Sequence, residues 1–90
     1  MNKHEILQLR RECHNLKPVI WLGNQGYTEA VAGEIDCALN AHELIKVKIN
    51  TSDKTVRDQL ASQLCQSHGA QLIQQIGKTL CLYRRNENTE

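Results

Sequence analysis

The apolar positions fall into short segments whose spacing alternates between the helical and the extended period. Through residues 2–16, Ile6, Leu9, Cys13 and Leu16 recur every three or four positions, with Lys3, Arg10, Arg11 and Glu12 off that stripe. This predicts an amphipathic helix, closed by Asn15 and Pro18 because a residue before proline avoids helical backbone. Val19-Ile20-Trp21-Leu22 is a continuous apolar run, the pattern of a strand covered on both faces inside a parallel sheet. Trp21 is then most simply a core residue, with an exposed stacking role as the lesser alternative.

A second helix is predicted from Thr28, a suitable N-cap, with Glu29 against the helix dipole and Val31, Ile35, Ala38, Leu39 and His42 as its apolar stripe. Gly33 lies inside it, where glycine costs about 1 kcal/mol against alanine, so close packing on a neighbour is expected there. From Leu44 to Ile49 the chain alternates. Ile45, Val47 and Ile49 face one way and Lys46 and Lys48 the other, so this strand has an open side or lies at an edge.

Ser52 or Asp53 is expected to cap a third helix with Val56, Leu60 and Leu64 buried and Ala61 and Cys65 beside them, stopped by Gly69. Residues 71–76 and 79–84 read as strands joined by Gly77-Lys78, a two-residue type II′ turn. Their register puts Ile73, Leu80 and Leu82 on one face and Leu72, Ile76, Cys81 and Tyr83 on the other. Residues 86–90 read as a flexible tail. The order α-β-α-β-α-β-β implies an α/β (α+β two-layer) fold with three helices and a mixed four-stranded sheet. Strand–helix–strand units should give parallel neighbours, with an antiparallel final hairpin.

Leu22-Gly23-Asn24-Gln25-Gly26-Tyr27-Thr28 sits where the first strand passes into the second helix. Glycines three apart let the backbone adopt φ > 0 and approach a ligand closely. The following helix turns its first N–H groups toward the loop, as an anion site would. The same glycines also suit a plain tight turn.

Ninety residues make one domain, expected over residues 1–85, with a modest core and little room for an enclosed active site. No apolar run approaches the length of a membrane span and no signal-peptide apolar region opens the chain, so a cytoplasmic protein without a membrane partner is expected. Cys13, Cys37, Cys65 and Cys81 show no CxxC spacing and read as isolated, mostly buried small hydrophobes. Cys65 and His68 could share a helix face, but the paired ligand spacings of structural zinc modules are missing. No cofactor is expected. GxxxxGK[ST] and GxGxxG fingerprints are absent, and no nucleophile pairs with a base, so neither an enzyme nor a small-molecule substrate is expected. The net charge of +1 conceals a polarised chain. Residues 1–43 carry −2, residues 44–85 carry +5, and the last five carry −2.

The segments Leu16-Lys17-Pro18-Val19 with Leu22-Gly23-Asn24-Gln25-Gly26, then His42-Glu43-Leu44-Ile45-Lys46-Val47-Lys48-Ile49, then Ile76-Gly77-Lys78-Thr79-Leu80-Cys81-Leu82-Tyr83-Arg84 resemble, in order and spacing, the CRM domain (chloroplast RNA splicing and ribosome maturation). The likeness is greatest to its stand-alone bacterial, YhbY-type ribosome-associated members and spans about residues 5–85. It implies a fold similar to the C-terminal domain of translation initiation factor 3 with an added N-terminal helix. It also implies RNA binding with the Gly23–Gly26 loop on phosphate, and a precursor of the large ribosomal subunit as partner. Family loops often carry a basic residue between the glycines, whereas Asn24-Gln25 is neutral and gives weaker phosphate bonds.

The candidate RNA contacts are therefore Gly23, Asn24, Gln25, Gly26, Lys46, Lys48, Lys78, Arg84 and Arg85, with Tyr27 the one aromatic considered for base stacking. The chain is expected to act as a monomer. The alternative is a protein-interaction module docking on ribosomal proteins.

Overall fold

Each helix starts where a short polar side chain can take up an orphan backbone N–H. In the computed structural model, which describes residues 1–23 and 25–86, Asn2 caps α1 (Lys3–His14) through a reciprocal capping box with Glu5. Thr28 caps α2 (Glu29–His42), its hydroxyl accepting from the Val31 N–H at 3.2 Å. Asp53, rather than Ser52, caps α3 (Lys54–His68), which ends on Gly69 in the left-handed region at φ 59°. Asn24 of the loop and residues 87–90 of the expected tail lie outside the described residues. Asn86, where that tail was expected to begin, is tied down: its N–H donates to the Glu43 carboxylate at 3.1 Å and its side-chain amide to the Asn40 carbonyl at 2.8 Å.

Among the described residues, β1 (Ile20–Leu22), β2 (Leu44–Ile49), β3 (Gln71–Ile76) and β4 (Thr79–Tyr83) complete the order α-β-α-β-α-β-β. They form one mixed sheet in the order β1-β2-β4-β3. β1 and β2 are parallel, and β4 is antiparallel to both of its neighbours. The strands flanking α3 are therefore not adjacent, contrary to expectation. The Gly77-Lys78 turn forces β3 and β4 to pair, and the inner place goes to the strand buried along its middle. β4 buries Leu80, Cys81 and Leu82 in succession, whereas β3 carries Gln74 and Gln75 and takes the edge.

β1 occupies the other edge, and only one of its faces is covered. Ile20 and Leu22 are buried, but Trp21 is 60% exposed, so the expectation that Trp21 belongs to the core is corrected. β2 is an inner strand whose Lys46 and Lys48 stand on the sheet face that α2 and α3 do not cover. That covered face holds Ile35 and Leu39 of α2 and Leu64 of α3 against Ile45, Val47, Leu80 and Leu82. On the opposite face α1 closes only one end, setting Cys13 against Leu44, Ile73 and Cys81.

A β-bulge between Leu72 and Gln74 alters the expected register of β3. Leu72 pairs with Leu82 on the α2/α3 side, and Ile73 turns under α1 instead. A bulge seats two consecutive residues opposite one, so the strict period of two breaks there. Arg10 of α1 donates to the Ile73 carbonyl at 3.2 Å and helps hold the bulge.

Three further expectations change. Cys13 and Cys81, though both buried as expected, are not isolated from each other: they lie side by side between α1 and β4 at a Cα–Cα distance of 6.4 Å, within the range a disulfide can span. Gly33 is exposed and a Cβ there would meet nothing within 4 Å, so no close packing explains it. His42 is exposed rather than part of the α2 stripe.

Candidate nucleic-acid interface

The loop leaves β1 at Gly23 and folds back at once, the Gly26 N–H donating to the Gly23 carbonyl at 3.0 Å. Of the two glycines only Gly26 takes a positive φ, 70°, where an L side chain is strained. A Cβ on either would meet nothing within 4 Å. Among the described residues, nothing fills the space outside Gly23, which is open to a ligand.

Backbone bonds assemble the surroundings. The Asn50 N–H donates to the Leu22 carbonyl at 2.9 Å and the Ile49 N–H to the Lys78 carbonyl at 2.7 Å. The glycine loop, the end of β2 and the Gly77-Lys78 turn thus share one end of the sheet. Gln25, Lys48 and Lys78 are exposed there, and Lys46 is half-buried one turn of the pleat away. The N-terminus of α2 follows the loop. Thr28 takes up the Val31 N–H, leaving the N–H groups of Glu29 and Ala30 outside the helical ladder. The exposed Glu29 carboxylate competes for the same positive helix end. Phosphate attraction here therefore rests on the lysines more than on the helix.

Tyr27 is half-buried and its hydroxyl lies 2.8 Å from His68 Nε2, with the rings edge-to-face at 5.8 Å. His68 Nδ1 meets the Asp36 carboxylate at 2.7 Å, and Arg84 donates to that carboxylate at 2.9 Å. The hydrogen bond from His68, then that from Arg84, hold the Asp36 carboxyl below its ordinary range. Both ring nitrogens of His68 are thereby occupied, which removes it from the conceivable zinc site with Cys65. Among the described residues no group of three or more His, Cys, Asp or Glu side chains is placed to hold a metal ion.

The expected basic set is split. Lys46, Lys48 and Lys78 stand near the loop. Arg84 and Arg85 follow β4 at the opposite end, where the Arg84 N–H donates to the Glu43 carbonyl. The Arg84 guanidinium is spent inside the protein, on Asp36, the His68 carbonyl at 2.9 Å and Asn40 at 2.9 Å. Arg85 is exposed but lines a cleft with Glu5 and Glu12. Reasoning from sequence missed two features. The Tyr27–His68–Asp36–Arg84 chain, in which only His68 is buried, had no motif to announce it. The exposed Trp21 was hidden by an apolar run whose edge position is a tertiary fact.

Comparison with known proteins extends over the same residues. The model of the CRS1/YhbY (CRM) domain matches residues 1–84. A protein of Pseudomonas aeruginosa named a probable RNA-binding protein is 44% identical over 86 residues, covering 96% of this chain and 83% of its own. One from Haemophilus influenzae named an RNA-binding protein is 40% identical over 82 residues, covering 91% and 83%. The solution structure of a hypothetical protein from Staphylococcus aureus superposes with a TM-score of 0.84 at 28% identity, covering 100% of this chain and 94% of that one. With the family model matching residues 1–84 and relatives at 40–44% identity over nearly the whole chain, the chain belongs to the CRS1/YhbY (CRM) domain family.

Proposed function

We propose that this protein binds structured RNA, associates with precursors of the large ribosomal subunit and assists their maturation. The observation that carries the reading is the gathering of the Gly23–Gly26 loop, Lys48 and Lys78 at one end of the sheet, with Lys46 beside them. Backbone N–H groups and mobile ammonium groups on one surface suit a phosphate chain, for which position matters more than sequence. That relatives are named RNA-binding proteins supports the same partner. The ribosomal assignment rests on the family resemblance of the motifs. Arg84 is left out of the contact set because its donors are engaged internally, and Arg85 is an outlying contact at most.

The test is the salt dependence of binding to a structured fragment of large-subunit ribosomal RNA. With about three lysines on phosphate, log K against log salt should fall with a slope of roughly −2 to −3. A flat plot would remove the lysine surface from the mechanism. Sedimentation with ribosomal particles before and after nuclease treatment addresses the partner. Loss from the particle on RNA digestion is the expected result, and retention on the protein core would instead favour docking on ribosomal proteins.

A further inference from the structure

The registers of the sheet align Trp21, Lys48, Thr79 and Ile76 in a single rung across all four strands. Directly paired residues project to the same side, so all four stand on the face opposite the α2/α3 core. α1 covers the far end of that face, over Leu44 and Cys81, and leaves this rung open. Trp21 is 60% and Ile76 54% exposed, and Val19, just before β1, is 48% exposed. The Val19 N–H donates to the Lys46 carbonyl at 3.0 Å, which sets it beside the second lysine. Lys46 and Lys48 of β2 thus stand between the exposed Val19 and Trp21 on one side and Ile76 at the opposite edge of the sheet. Trp21 lies two residues, about 7 Å, from Gly23 at the mouth of the loop.

We propose that this open face is a base-stacking subsite for single-stranded RNA, with a nucleobase on the Trp21 indole and its flanking phosphates on Lys48 and Lys46. The inference rests on the RNA-binding reading above and adds a mode to it. An indole has a π-face that any base can cover, and neighbouring cations neutralise the phosphates such a base brings with it. An exposed apolar patch alone would equally suit a protein, but two lysines interleaved with the apolar side chains match a polyanion whose bases are apolar on their faces. A paired duplex keeps its bases stacked inside and cannot use the indole, so the subsite selects unpaired segments next to the structured RNA held by the loop.

Trp21 is the only tryptophan of the chain, so intrinsic fluorescence reports on this subsite alone. The protein is titrated with a short single-stranded oligoadenylate and with a blunt RNA duplex, reading tryptophan emission and the anisotropy of labelled RNA together. The expected result is quenching by the oligoadenylate but not by the duplex. Trp21→Ala should weaken the oligoadenylate roughly five- to hundredfold while leaving duplex affinity and the salt slope unchanged. Trp21→Phe, which keeps a π-face, should lose less than Trp21→Leu, which keeps only apolar bulk. If single-stranded RNA saturates the protein without altering emission, or only the duplex binds, the subsite is refuted while the RNA-binding reading stands. The patch would then be left to a protein partner. If neither RNA binds at low salt, the RNA-binding reading fails and the subsite falls with it.

Discussion

Tyr27 donates its phenolic hydrogen to His68 Nε2 at 2.8 Å, fastening the residue that leaves the glycine loop to the last turn of α3. The direction follows from the neighbour on the other side. Asp36, as a carboxylate, can only accept, so His68 donates to it from Nδ1 and Nε2 is left to accept from the Tyr27 hydroxyl. Tyr27→Phe leaves that nitrogen buried without a partner. The expected cost is about 1–2 kcal/mol in urea denaturation at an unchanged m-value. A variant as stable as the parent would show that the bond contributes nothing to the fold.

Acid sensitivity should follow Asp36. Its carboxyl is held low by hydrogen bonds from His68 and Arg84, so the folded state binds this proton less readily than the unfolded chain. The stabilisation is fully present above the unfolded carboxyl value, near pH 4, and is lost as the pH falls through the lower folded value. Asp36→Asn should lower stability at neutral pH and flatten the decline below about pH 4. Asp58, also held low by its bonds from Lys54 and Gln75 but on the open surface, gives the control, since a weaker change is expected from Asp58→Asn. Superimposable acid limbs for the parent protein and Asp36→Asn would refute this role.

The two loop glycines should separate conformation from contact. Gly26 has φ 70°, so Gly26→Val strains the backbone by about 1–3 kcal/mol and should cost stability as well as RNA affinity. Gly23 has room for a Cβ and no positive φ, so Gly23→Ala should fold normally, within about 0.5 kcal/mol. If RNA backbone passes close to Gly23, this variant should nonetheless bind several-fold more weakly. Unimpaired binding by Gly23→Ala would mean that the loop is only a turn.

The lysine face gives the sharpest electrostatic test. Lys46 and Lys48 lie on one side of β2 with no ion pair to either among the described residues. Reversing both to Glu should change stability by under about 1 kcal/mol and lower RNA affinity at least about tenfold, with a shallower salt slope. Arg10 is unsuitable as a control because it holds the Ile73 carbonyl. Lys3→Glu with Arg11→Glu makes the same charge change on α1 and should cost less. Equal losses from the two pairs would reduce the effect to net charge.

What this sequence determined by itself is local. The cap at Thr28, a cap at Ser52 or Asp53, the left-handed stop at Gly69, the Gly77-Lys78 turn and the alternation of β2 are written in one or a few adjacent residues. Each obeys backbone sterics or a fixed side-chain period wherever the segment ends up. The order of elements, and with it the family resemblance, followed from those signals. Tertiary structure decided which strand lay at which edge, and the consequences were functional. An apolar run such as Val19–Leu22 reads the same whether one face or two are covered, so only the docking of α2 and α3 on a single side of β1 left Trp21 in the open. The bulge that turned Ile73 under α1 and the long-range bonds that drew Arg84 into the Asp36–His68 network were likewise unreadable along the chain. They depend on groups brought together from 32 and 48 residues away, and no local period encodes which distant partner will satisfy a buried donor.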